Sequence, residues 1–306
     1  MQRLLLLILT SLLAVCTGSG DWCYQPHYTC EPQCNAPEKW DHANRGCSGK
    51  AQSPINIVTR KTLKDDRLTA FHFSNYQHFF TGSIINNGHS AQVGVTHLAT
   101  IAGGDLGVDY KVVQFHFHWG NSGGPGSEHT IDGERYPMEL HIVHMKQKYT
   151  DIKTALSDPT GIAVLGFLYE ESSSANRKYE PIISALKSIK AKNGNTTLRS
   201  ISLGDLIPPQ HNLTNYYRYK GSLTTPPCSE AVVWTVFENP IPLSKEQLKA
   251  FSELQFHDGK AMVDNFRPVQ PLNARRVYRS GGTAVLASVA ILLASVTTAL
   301  GLSHPN

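Results

Sequence analysis

Between Lys111 and Trp119 apolar and polar residues alternate. Gln114, His116 and His118 fall on one face of a strand, with Phe115, Phe117 and Trp119 on the other. Met138 to Met145 repeats the pattern, setting Glu139, His141 and Val143 against Leu140, Ile142 and His144. Ile162 to Tyr169 and Ala231 to Phe237 are rich in β-branched and aromatic residues with little polar relief, which predicts central strands covered on both faces. Two stretches follow helical spacing instead. Ser244-Lys245-Glu246-Gln247 reads as a capping box: Ser244 can bond the amide three residues on, and Gln247 can reach back. Leu248, Phe251 and Leu254 then continue at helical intervals. Roughly Pro181 to Lys190 carries Ile182, Leu186 and Ile189 on one stripe. These elements predict a mainly β single domain with peripheral helices, and 17 prolines and 24 glycines suit its many turns.

The two ends break this pattern. After Arg3 comes an apolar run from Leu4 to Val15, then Thr17-Gly18-Ser19-Gly20, which predicts a secretory signal peptide over residues 1–20. The run is short for a first membrane-spanning helix. Ala284 to Leu302 is apolar or small throughout and uncharged, with Ser280-Gly281-Gly282 just ahead of it. That arrangement predicts a glycosylphosphatidylinositol (GPI) attachment propeptide over residues 281–306, with Ser280 as attachment residue. A true spanning helix is the rival. With the body outside the cell, however, Arg275, Arg276 and Arg279 would lie on the wrong side for it. Residues 21–280 remain as one folded domain. The formal net charge of +4 is spread along the chain, which argues against a nucleic-acid partner.

Export changes the reading of the cysteines. Cys16 leaves with the signal, and Cys23, Cys30, Cys34, Cys47 and Cys228 remain. Disulfides become the default, an odd count leaves one thiol over, and sequence alone does not fix the pairing. Asn195-Thr196-Thr197 and Asn212-Leu213-Thr214 are glycosylation acceptors, in keeping with export.

The candidate chemistry lies on the alternating strands. Residues two apart on a strand point the same way, about 7 Å along it, so His116 and His118 can grip one ion together. His141, on the same face as Glu139 and Val143, adds a third imidazole if the two strands are neighbours. Three neutral nitrogen ligands with a fourth position left for water make a catalytic zinc site. Magnesium or calcium would call for clustered carboxylates. A lone His-x-His pair between aromatics would more often be packing than metal binding.

The wider setting decides between these readings. Gln114-Phe115-His116-Phe117-His118-Trp119-Gly120, Ser127-Glu128-His129-Thr130 and Met138-Glu139-Leu140-His141-Ile142-Val143-His144 closely resemble the α-class carbonic anhydrases. So do Gln52-Ser53-Pro54-Ile55-Asn56-Ile57, Asn86-Asn87-Gly88-His89-Ser90, Gly221 to Cys228, Val232 to Val236, and Val263 to Pro268. The matches keep their order from Trp22 to about Asn273. The two ends resemble the lipid-anchored members. The resemblance implies a twisted, mostly antiparallel ten-stranded sheet, with Zn2+ on His116, His118 and His141 at the base of a cleft. It implies cis bonds at Ser53-Pro54 and Pro226-Pro227, and bridges Cys23–Cys34 and Cys47–Cys228, leaving Cys30 over.

The resemblance also assigns roles. Thr224 and Glu128 would orient the attacking oxygen, with Thr224 donating to Glu128. Gln114, Glu139 and the Asn265 carbonyl would hold the outer ring nitrogens of the ligands. Val143, Val164, Leu223, Thr225, Val232 and Trp234 would form the substrate pocket. His89 would carry protons out, along water ordered by Tyr24, Asn87 and Gln92. Gln92 stands where the family usually has asparagine. The implied activity is reversible carbon dioxide hydration at the extracellular membrane face, serving pH regulation beside bicarbonate or ion transporters. Two rivals stand against it. One is a carbonic-anhydrase-like binding module that has lost its metal; the intact ligand set argues against it. The other is a different secreted zinc hydrolase; the chain has no HExxH helix.

Overall fold

The computed structural model describes residues 22–24 and 34–281. The signal segment, Cys16, Cys30 and the apolar tail lie outside these residues. Among the described residues no helix is long and apolar enough to cross a membrane.

Ten strands carry the architecture: β1 (Leu63–Asp65), β2 (Phe80–Asn86), β3 (Ala91–Gly94), β4 (Tyr110–Trp119), β5 (Met138–Lys146), β6 (Ile162–Ser172), β7 (Asn195–Ile201), β8 (Tyr216–Gly221), β9 (Val232–Ser244) and β10 (Tyr278–Ser280). They lie side by side in the order β7-β2-β3-β4-β5-β6-β9-β8-β10-β1. Phe71–Ser74 and Thr100–Gly103 pair with each other, and the latter joins β4, giving a 12-stranded sheet. Only the β6–β9 and β10–β1 neighbours on the main path run parallel. The expected mainly β, mostly antiparallel sheet is therefore what the chain forms.

Alternation sorts the side chains as expected. On β4, Phe115, Phe117 and Trp119 are fully buried in the larger core, where Phe251 packs against Phe117 and Trp119 at 5.2 and 5.4 Å between ring centroids. On the other face Val143, Val164, Val232 and Trp234 form a second apolar cluster with Leu223 against it. Each such side chain, fully buried, contributes roughly 1.5–3 kcal/mol. Ile162 to Tyr169 is buried without a break, as a strand covered on both sides requires.

Two helices brace the larger core. α1 (Glu180–Leu186) buries Ile182 and Leu186. It is shorter than its apolar stripe predicts: beyond Leu186 the backbone tightens into i→i−3 bonds, Ser188 N to Ala185 O and Ile189 N to Leu186 O. Ile189 stays buried in that tighter turn. α2 (Lys245–Phe251) has both halves of its capping box.

Both implied bridges form, Cys23–Cys34 and Cys47–Cys228, and both expected prolyl bonds are cis. A small second sheet pins the loop that carries Glu128: Asn56–Ile57 runs parallel to Thr130–Ile131, and Thr130 Oγ1 donates to Asn56 Oδ1 at 2.8 Å.

Candidate metal centre

Strand register brings the histidines together. β4 and β5 pair antiparallel with His116 opposite His141 and Glu139 opposite His118. All three imidazoles project from one face, and their ring centroids lie 4.6–5.2 Å apart. One nitrogen from each ring lies within 4.8 Å of the other two, and His118 and His141 are almost wholly buried.

The hydrogen bonds fix which nitrogens face inward. His118 Nδ1 lies 2.8 Å from the Asn265 carbonyl oxygen, which can only accept, so Nδ1 carries the proton. His141 Nε2 lies 2.7 Å from the Glu139 carboxylate and donates to it for the same reason. His116 Nδ1 sits 2.9 Å from Gln114 Oε1. Each neutral ring then turns a bare lone pair towards the other two: Nε2 of His116, Nε2 of His118 and Nδ1 of His141. Burial, reinforced by the other two rings, pushes His116 well below the usual imidazole range, and burial also lowers His118. That keeps these two rings neutral, as metal ligands must be.

The residues fit a cation here. His118 Nε2 and Glu128 Oε2 face each other at 3.4 Å, both buried and both without a hydrogen-bond partner. Two electron-rich atoms left so in a dry site cost free energy unless something positive lies beside them. Three imidazoles and no thiolate suit zinc among the borderline metals.

A second layer holds the ligands. Glu139 is fully buried, and its Oε2 accepts from the backbone amides of Glu128 and His129, both at 2.8 Å. Its Oε1 is shared between His141 and His129 Nδ1, each at 2.7 Å. Burial alone would raise its pKa, but His129 and His141 outweigh that and hold the carboxyl well below its ordinary value. Opposite His141 on β6 stands Gly166, where a Cβ would come within 3.1 Å of Glu139 Oε1. From His129 the chain continues through Tyr219 OH at 2.7 Å to Ser53 Oγ at 2.9 Å. On the other oxygen of Glu128, Oε1 accepts from Arg267 N at 2.9 Å. Arg267, buried to 2 % exposure, donates through Nη1 to Gln52 Oε1 and Ser53 O. The roles of His129 and Arg267 were missed in the sequence, although both stand inside the quoted motifs.

One expected contact is absent. Thr224 is buried at the site, but it does not donate to Glu128, whose Oε2 has no partner. Arg267 N tethers the carboxylate by Oε1, and its other oxygen turns towards His118. The expected apolar wall does assemble: Val143 pairs with Val164, Val164 with Trp234, and the Trp234 ring lies 4.8 Å from that of His141. Thr225 is half-buried in the loop after Thr224.

Of the residues expected on the proton path, Gln92 and Asn87 lie next to His116, and His89 and Tyr24 gather on Trp22. Gln92 is paired with His116 across β3 and β4, and Asn87 Nδ2 donates to Gln92 Oε1 at 3.3 Å. The His89 ring is half-buried and stacks on Trp22 at 3.9 Å between centroids, and Tyr24 meets the edge of the same indole at 5.3 Å.

A family model described as eukaryotic-type carbonic anhydrase matches residues 35–281. The chain is 41% identical to carbonic anhydrase 4 of Mus musculus and 39% identical to that of Rattus norvegicus, in both cases over 94% of either chain. It is 37% identical to carbonic anhydrase 15 of Mus musculus, over 94% of this chain and 92% of that one.

Proposed function

The chain belongs to the eukaryotic-type carbonic anhydrase family, and from that premise we propose that it hydrates carbon dioxide reversibly using zinc held by His116, His118 and His141. The observation that carries this reading is the set of three inward lone pairs, with His118 Nε2 buried and unpartnered among them. Bound zinc supplies the Lewis acidity that makes water a nucleophile near neutral pH, a property for which this enzyme family is itself the reference case.

The rest falls to the chain's own residues. Gln114, Glu139 and Asn265 lock tautomer and ring angle, so the ligands need no reorganisation. Because the imidazoles are neutral, they leave the charge of the ion undiminished. The Thr224 hydroxyl would accept a hydrogen bond from the attacking oxygen and so aim it, with the unpartnered Glu128 Oε2 as the acceptor for its own hydrogen. Val143, Val164, Leu223, Thr225, Val232 and Trp234 give an apolar substrate a surface without competing hydrogen bonds. His89 takes the released proton on its imidazole and hands it to solvent, with Tyr24, Asn87 and Gln92 ordering the water between.

We place this activity on the outer face of a membrane, where it would serve pH regulation and supply bicarbonate or ion transporters. The two disulfides favour an oxidising compartment. Asn195 and Asn212 are both exposed, as glycan acceptors must be. Ser280 ends the last described strand, just before the apolar tail, and there a lipid anchor would be joined.

Replacing His118 with alanine tests the zinc reading. Zinc content and hydration rate should fall together, the rate by at least about 100-fold, the upper end of what outer contacts alone cost. Full hydration by a variant that metal analysis finds zinc-free would sink it.

A further inference from the structure

A cavity of about 550 Å3 opens at the edge of the sheet where β8, β10 and β1 run together, and none of the three clustered histidines lines it. Five cationic side chains do: Arg67, Arg218, Lys220, Arg275 and Arg276. The carboxylates in its wall are Asp65 and Asp105. Asp65 is already taken, accepting from Arg67 Nε at 3.0 Å and Nη2 at 2.7 Å, and Asp105 lies 4.0 Å from Arg67 Nε. Arg218, Lys220, Arg275 and Arg276 form no ion pair with any carboxylate of the described residues.

Arg218 is the telling member. It sits on β8 opposite Tyr278 of β10 and Thr235 of β9, and is only 7 % exposed. A guanidinium has five N–H donors. Nε and Nη2 give one each to Thr235 Oγ1 at 3.2 and 3.0 Å, and Nη1 gives one to Gly104 O at 2.7 Å. One hydrogen is left on each Nη, so two charge-assisted donors remain for an anion. These neutral partners hold the group in place without a direct ion pair, an expensive state for a buried cation.

We propose that this cavity binds a phosphate group, held by the remaining donors of Arg218 and surrounded by Lys220, Arg275 and Arg276. The surplus of positive charge suits a multiply charged oxoanion, and the volume admits the organic part of a phosphate ester. Tyr278 lines the cavity two residues before Ser280, so a lipid headgroup is one source of the phosphate and the free ion another.

The test uses the zinc-loaded full chain. Inorganic phosphate is titrated calorimetrically at constant ionic strength, and sedimentation is measured with phosphatidylcholine vesicles with or without a phosphatidylinositol phosphate. The paired surface variant Lys220→Gln with Arg276→Gln should weaken binding at least tenfold, and Arg218→Gln should abolish it, with hydration unchanged in both. Binding of free phosphate identifies the soluble ion as sufficient; binding confined to phosphorylated vesicles identifies the headgroup. Should Arg218→Gln not fold, the surface pair decides. Failure of both probes to bind the wild type, or equal affinity in wild type and variants, overturns the proposal.

Discussion

Asn265 serves four neighbours with one residue, its Nδ2 also donating to Phe117 O at 3.4 Å. Its carbonyl takes the His118 Nδ1 proton, its Oδ1 accepts from Trp119 N at 2.7 Å, and its Nδ2 donates to the His89 carbonyl at 3.0 Å. A ligand and the expected proton carrier are therefore positioned by the same residue, the first through its backbone and the second through its side chain. The His89 ring itself stacks on Trp22 at 3.9 Å between centroids. Replacing His89 with alanine should slow hydration at least about tenfold in weak buffer, and added imidazole should restore it with zinc content unchanged. Rates that ignore buffer concentration would assign the proton transfer to another group. Period-two spacing put Gln114, His116 and His118 on one strand face and Glu139 with His141 on another, and the family resemblance turned that pattern into a metal site. His129 and Arg267 escaped because their partners are remote: Tyr219 is 90 residues from His129, and Gln52 is 215 from Arg267. No local pattern encodes such a bond.

At the scale of the element, β5 carries histidine on both faces and gives each a different fate. His141 faces the centre with a bare nitrogen. His144, past a register shift after Val143, faces the core and is saturated: Nε2 meets Tyr76 OH at 2.6 Å and Nδ1 meets Ala163 O at 3.2 Å. Burial pushes His144 down to about 3, despite the backbone contacts that raise it. The unfolded chain holds this histidine near its ordinary value of about 6.5. Above that pH neither state binds the proton and the contribution is intact; as pH falls from about 6.5 towards about 3 only the unfolded state takes it up, so stability drops. The loss is about 1.4 kcal/mol per pH unit. Denaturant midpoints of zinc-loaded wild type and His144→Gln, followed across that window, should converge as the pH falls; parallel curves would refute the assignment. The long strands were legible because each offers several alternations. β1 and β10, at three residues each, offer none, and α1 overran its true end because burial of Ile189 continues after the helix has tightened.

At the scale of the whole molecule, what the chain is and where it works rest on different kinds of support. The central strands and their ligands are set by pattern and register, whereas export and anchoring rest on the composition of the two ends. If Ser280 bears the lipid, phosphatidylinositol-specific phospholipase should release most hydration activity from intact expressing cells into the medium. Activity that stays with the cells and yields only to detergent would favour a spanning tail instead.

The seating of Ser280 matters for that tether. Its hydroxyl donates to Thr214 O at 2.7 Å and accepts from Tyr216 N at 3.0 Å, while β10 is zipped between β8 and β1. If Ser280 carries the lipid, a pull there would load β10 in shear against two neighbours, and drag from flowing fluid would be carried by the sheet itself.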